Sequence, residues 1–143
     1  MSEFNLKQDY DFLIADCLTR LIDEELNEDV DRHLDVYKPI VDEAISVIKQ
    51  QSLEGLIHKV HEVADFLFRS FKMANIFFQE ECVEKVRVFN RCHFYSLTEV
   101  WEAIEEKNTE KVRSILIHIL EDDEPNRLFF PFYRQIVNIL VRE

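Results

Sequence analysis

Glycine is all but absent: Gly55 is the only one in 143 residues, and proline occurs three times. Hairpin turns and bulges draw on glycine, so its scarcity argues against a β-rich fold. It also removes the glycine loops that cradle dinucleotides or nucleoside triphosphates, since each needs two or more glycines. No run of 18 apolar residues occurs, so no membrane-spanning helix is expected. Cysteine is sparse as well. Cys17, Cys82 and Cys92 form no CxxC pair, and each lies in an apolar pattern that suits a small core residue. The opening Met1-Ser2-Glu3-Phe4-Asn5 has neither the basic nor the apolar region of a signal peptide. A cytoplasmic, reducing compartment is the resulting expectation.

Positive charge is also short: 17 Lys and Arg face 29 Asp and Glu, for a net charge of −12. The imbalance is concentrated in residues 1–50, which hold 13 acids and 5 bases. A phosphate backbone would be repelled by that third of the chain, and direct nucleic-acid binding is not expected. Only Arg69, Lys72, Lys85, Arg87 and Arg91 make a modest basic cluster. What the chain does have is 47% hydrophobic residues and 32% charged ones, which excludes disordered and low-complexity classes. Its length fits one domain over residues 1–143, large enough to bury a core without staples.

The apolar residues recur at helical spacing nearly throughout. A first helix is predicted over 6–26, capped by Asn5, with Leu13, Ile14, Cys17, Leu18 and Leu21 in its stripe. A second, over 28–50 and capped by Asn27, carries Val30, Leu34, Tyr37, Val41, Ala44 and Ile48 in a heptad seam. Pro39 lies inside that seam and predicts a kink or two coaxial pieces. Ser52 is the expected cap of a third helix reaching the mid-seventies. From Ala64 on, that helix is apolar all round, so it is either central or enters a second interface. A fourth helix is predicted over 79–91. The run Ser96-Leu97-Thr98-Glu99 reads as a capping box opening a fifth. A short break at Asn108 or Thr109 makes the fifth and sixth helices an antiparallel hairpin. After the acidic loop over 121–126, a last helix begins near Pro131. The expected fold is all-α: a single compact bundle of six or seven helices, with a C-terminal helical hairpin plus one further helix.

Few constellations carry chemistry. His58, His61, Glu62 and Asp65 fall on one face of the third helix, with the pairs 58/62 and 61/65 four apart. Imidazole and carboxylate together suit zinc, iron or nickel, with His33, His93 or His118 available as a further ligand. A solvated polar face explains the same four residues without a metal, and it is the preferred reading. No cofactor is implied. The carboxylate pairs Glu24-Glu25, Glu80-Glu81 and Glu105-Glu106 lie at predicted helix ends, where solvated acids are common, and no catalytic set is assigned. Twelve phenylalanines remain, in two clusters: 66–78 and 128–133. A residue buried at every position of the second cluster is hard to arrange. Some of Phe129, Phe130, Phe132 and Tyr133 are therefore expected to be exposed or held by a partner. Phe68, Phe71, Phe89 and Trp101 are the candidate lining of an apolar ligand pocket.

The segments Asp65-Phe66-Leu67-Phe68-Arg69 and Ser96-Leu97-Thr98-Glu99-Val100-Trp101-Glu102-Ala103-Ile104 resemble the effector-binding FCD domain of GntR-type bacterial transcription regulators. The resemblance implies an all-helical bundle that senses a small molecule. It does not imply the metal site of that family. Arg69 and Leu97 stand where two of its histidines would be, and His118 falls one place from the third. The family's winged-helix DNA-binding domain has no counterpart in this chain. Three readings follow, in order. The first is a non-enzymatic interaction or regulatory module, a homodimer or bound to a protein partner. It would act through an exposed aromatic patch while acidic helices steer a basic surface. The second is an effector-sensing domain for an apolar small ligand. The third is a helical metal-binding protein.

Overall fold

The computed structural model describes residues 6–22, 30–121 and 129–142 (side chains of 6–10, 22, 30–34 and 92–97 excepted), and among the described residues the helical spacing becomes six α-helices. They are α1 (Leu6–Ile22), α2 (Val30–Gln50), α3 (Leu53–Phe77), α4 (Glu80–Glu105), α5 (Thr109–Glu121) and α6 (Phe130–Val141). No strand occurs among the described residues. The predicted caps Asn5 and Asn27, the tail of the first helix to Leu26 and the acidic residues 122–126 lie outside them.

Local chemistry accounts for most boundaries. Ser52 caps α3 as expected, its Oγ accepting from the Gly55 N–H at 3.2 Å. The seam of α2 turns inward through Tyr37, Val41, Ala44 and Ile48, the last two fully buried. That helix runs through Pro39 in one piece. Pro39 is exposed, so water can take the carbonyl that loses its donor. The expected start of a helix at Ser96 is corrected: α4 is continuous from Glu80 to Glu105. It contains no glycine or proline, and a Ser-x-x-Glu spacing fits an interior turn as well as a cap. The predicted hairpin is therefore α4–α5. Its turn is a Schellman motif: the Lys107 N–H donates to Ile104 O at 3.0 Å and the Asn108 N–H to Ala103 O at 2.9 Å. Lys107 takes the left-handed position, with φ 57°.

α6 is a central element. It packs on α1, α2 and α3, and nine of its twelve residues are buried. α3 is central too, as its sequence allowed: it packs on α1, α4, α5 and α6 while its second half keeps an outer face in water. Phe66 of α3 meets Phe132 edge to face at 5.4 Å, and Lys59, two turns earlier, donates to the carbonyls of Ile139 and Arg142. α6 thus runs antiparallel to α3, and its N-terminus lies level with Phe66.

The last carbonyls of a helix lack intrahelical donors and carry the negative end of its dipole. Here other helices supply the donors. Lys85 of α4 reaches Leu21 O of α1 at 3.1 Å, and Arg113 of α5 reaches Gln51 O, just past α2, at 2.7 Å. Tyr133 of α6 donates to Leu120 O of α5 at 3.0 Å, and Lys59 serves α6 itself. Each bond fixes one helix end to another helix, so the ends set the packing register as well as satisfying the backbone.

Candidate functional site

The second half of α3 and the middle of α4 leave a half-open groove of about 320 Å³ between them. Ala64, Leu67, Phe68 and Phe71 line it from α3, at the i, i+3, i+4, i+7 spacing of one helical face. Asn90, Thr98 and Trp101 line it from α4. Three of the four residues expected in a ligand pocket are therefore brought together: Phe68, Phe71 and Trp101. Phe89 is not among them. It points about 100° away from Asn90, into the core, against Phe129 at 5.4 Å and Phe132 at 5.2 Å. The His61 ring stands edge-on to Trp101 at 4.9 Å, next to the groove. Asn90 was not legible as a site residue, because a polar position on an amphipathic helix reads as solvent-facing. Its Oδ1 is instead buried with no hydrogen-bond partner.

The structure corrects the expectation for the second aromatic cluster. Phe129 and Phe130 are 8% exposed, Tyr133 is 4% and Phe132 is fully buried. Phe130 packs on Tyr37 at 5.9 Å and Phe132 between Phe66 and Phe89. A short helix enclosed on several sides can bury consecutive residues, which a helix lying on a surface cannot. These four side chains are core within this chain and form no exposed patch.

The exposed apolar surface lies elsewhere. Phe68, Ile76 and Phe77 of α3 are 79%, 60% and 74% exposed, and Phe12 of α1 is also in water. Phe68, Lys72 and Ile76 succeed one another at i, i+4, i+8 along the outer face of α3. Another groove of about 280 Å³ runs beside it between Asp11 of α1 and Arg69, Lys72, Met73, Ile76 and Phe77.

The four residues weighed as a metal set are not brought together. His58 Nε2 pairs with Glu62 Oε1 at 3.0 Å, and Arg142 approaches Glu62 Oε2 at 3.6 Å. The expected 61/65 pair is absent, because Asp65 binds Arg69 at 3.1 Å and His61 turns to Trp101. Among the described residues no three His, Cys, Asp or Glu converge on a point that could hold a metal. His118 is exposed on α5, and the side chains of His33 and His93 lie outside the described residues. The basic cluster disperses similarly: Arg69 is paired with Asp65, Arg87 with Glu84 at 2.7 Å, and Lys85 caps α1. Glu80, Glu81, Glu105 and Glu106 are exposed at the ends of α4, outside both grooves.

Two thiols can be placed. Cys17 and Cys82 are buried and free. Burial pushes the Cys17 thiol up to about 11, against the weaker opposing field of Arg134, and raises Cys82 as well. Neither is a thiolate at neutral pH, so both serve as packing groups rather than nucleophiles. No helix among the described residues is long and apolar enough to cross a membrane. Comparison with known proteins finds no matching family model, no similar curated protein and no similar solved structure.

Proposed function

We propose that the chain is a non-enzymatic interaction module that associates through the outer face of the second half of α3. The observation that carries this reading is the exposure of Phe68 and Ile76 on that face, with Phe77 exposed at the end of the helix. Each large apolar side chain left in water forgoes roughly 2 kcal/mol of burial. Three on one half-helix make a surface that gains by being covered. The partner that the face suits first is a second copy of the chain. Phe68 and Ile76 of one protomer can meet their counterparts across a two-fold axis, with Lys72 between them able to reach Asp11 of the other copy. Such a dimer should bury at least about 1,000 Å². Because each protomer carries −12, screening by salt should tighten it. Sedimentation velocity over a range of concentrations tests the reading. The wild-type chain should dimerise, more strongly at higher salt, and Ile76→Asp should remain folded and monomeric. A wild-type monomer at every concentration and salt would overturn it.

A second reading is favoured by the α3–α4 groove. Its volume stands at the lower end of ligand sites. It lies in the part of the chain that resembles the FCD bundle, which supports effector sensing in that manner.

A further inference from the structure

The outer face of α3 borders the α3–α4 groove, and one residue belongs to both. Phe68 lines the groove and is still 79% exposed, so its ring stands at the rim. Ala64, one turn earlier, is the smallest residue of the described lining, and Phe71 and Trp101 give the hollow aromatic walls. A two-fold contact joins a patch to itself, so it needs a projection and a hollow on the same surface. The rim of this groove supplies both, an exposed ring beside an apolar hollow of about 320 Å³. Charge also admits a second copy here. Residues 64–77 hold one acid, Asp65, and two bases, Arg69 and Lys72, in a chain of net charge −12. Two copies can meet there without the repulsion that residues 1–50, with 13 acids and 5 bases, would impose.

We propose that Phe68 of each copy enters the α3–α4 groove of the other, against Phe71 and Trp101, so that the groove is the socket of the dimer. This rests on the dimer reading above and adds to it the occupant of the groove. Interface energy concentrates in aromatic anchors seated in pockets, with the surrounding contacts excluding water. Phe68 is the anchor, meeting the socket rings in offset or edge-to-face geometry. Lys72 and Ile76 extend the contact along α3 outside the socket.

Trp101 is the only tryptophan, so its emission reports on the socket. The full chain is diluted through its dimer–monomer transition and followed by sedimentation and by tryptophan emission. The emission should move to longer wavelength as the dimer dissociates, because the Trp101 ring gains water. Two substitutions plug the socket from different helices: Ala64→Phe on α3 and Thr98→Phe on α4. Ala64 is half-buried at the open groove and Thr98 is exposed, so both variants should fold, as circular dichroism will check. Each should weaken dimerisation at least about tenfold, although neither removes an apolar side chain from the outer face of α3. Dimerisation within about twofold of the wild type in either folded variant would overturn the socket and leave the dimer standing. Trp101 emission that stays fixed through the transition would do the same. A chain monomeric at every concentration and salt would overturn the dimer, and the socket with it.

Discussion

The segments 66–78 and 129–133 look alike as sequence, each crowding aromatic residues faster than one helical face can hold. The second turns inward completely, and the first leaves Phe68, Ile76 and Phe77 in water. The difference is one of length and cover. α6 has 12 residues, which at 1.5 Å each span ~18 Å, whereas the 25 residues of α3 span ~37 Å. Where the two helices run together, Phe66 meets Phe132 and both are fully buried. Beyond Phe66, α3 still buries Leu67, Ser70 and Ala74 on its inner side, whereas Phe68 and Ile76 continue the outer face that Glu54, His58, His61 and Asp65 already hold in water. Aromatic density therefore does not mark a surface for association. The side of its helix on which an aromatic residue falls, relative to the helices packed against it, does.

The largest expected effect tests that contrast directly. Phe132→Ala removes a ring packed on both Phe66 and Phe89 and should cost about 3–5 kcal/mol. Phe77→Ala, on the uncovered half of α3, should change monomer stability by no more than about 0.5 kcal/mol. Urea midpoints of the two variants, measured at a concentration where the chain is dissociated, decide the matter. Equal losses would mean that the two segments do not differ in cover.

An intermediate effect concerns what keeps α6 in place. Lys59 is nearly the full side chain's depth inside the protein, and its ammonium serves the carbonyls of Ile139 and Arg142. Lys59→Met retains the apolar stem and deletes the donors. The carbonyls at the end of α6 then lose a partner, at a cost of about 1–3 kcal/mol. Amide exchange should quicken first in the last turn of α6, where the bonds are lost, and later around 129–133. Loss of protection at 129–133 alone would show that the aromatic segment, not the helix end, is the weak point of the docking.

Much of this architecture was legible. Ser52 announced its helix because a hydroxyl three residues ahead of an N–H is a local device, and the break at 106–108 showed as a lapse in apolar spacing. The inward seam of α2 followed from its heptads. Three lining residues of the α3–α4 groove were legible for the same reason, since Phe68, Phe71 and Trp101 follow from the faces of their helices. What failed was nonlocal. Ser96 carries cap chemistry, but whether a helix starts there depends on the helix already running through it. The fate of Phe129, Phe130, Phe132 and Tyr133 depends on the elements that surround α6, and periodicity does not reveal a neighbour. Asn90 was missed because only the packed α3–α4 pair turns an amphipathic-helix polar residue into a buried acceptor. The four histidine and carboxylate residues of α3 did share a face, as spacing required. Sharing a face left each free to choose another partner, and Arg69 and Trp101 took two of them.

The smallest expected effect serves as the control for the others, because it alters stability while touching neither aromatic segment. Lys107 holds φ 57° at the end of α4, in the conformation that a Schellman motif demands and that a side chain disfavours. For a residue with a Cβ this region costs roughly 1–2 kcal/mol, whereas glycine enters it freely. Glycine also enlarges the freedom of the unfolded chain, which returns part of that gain. Lys107 is exposed, and among the described residues no hydrogen bond or ion pair uses its ammonium, so the exchange removes no contact. Lys107→Gly should therefore stabilise the chain by about 0.5–1 kcal/mol, read as a rise in urea midpoint. It should leave the dimerisation constant unchanged. If this distant substitution shifted it, then association would be following global stability, and the role assigned to the outer face of α3 would fall.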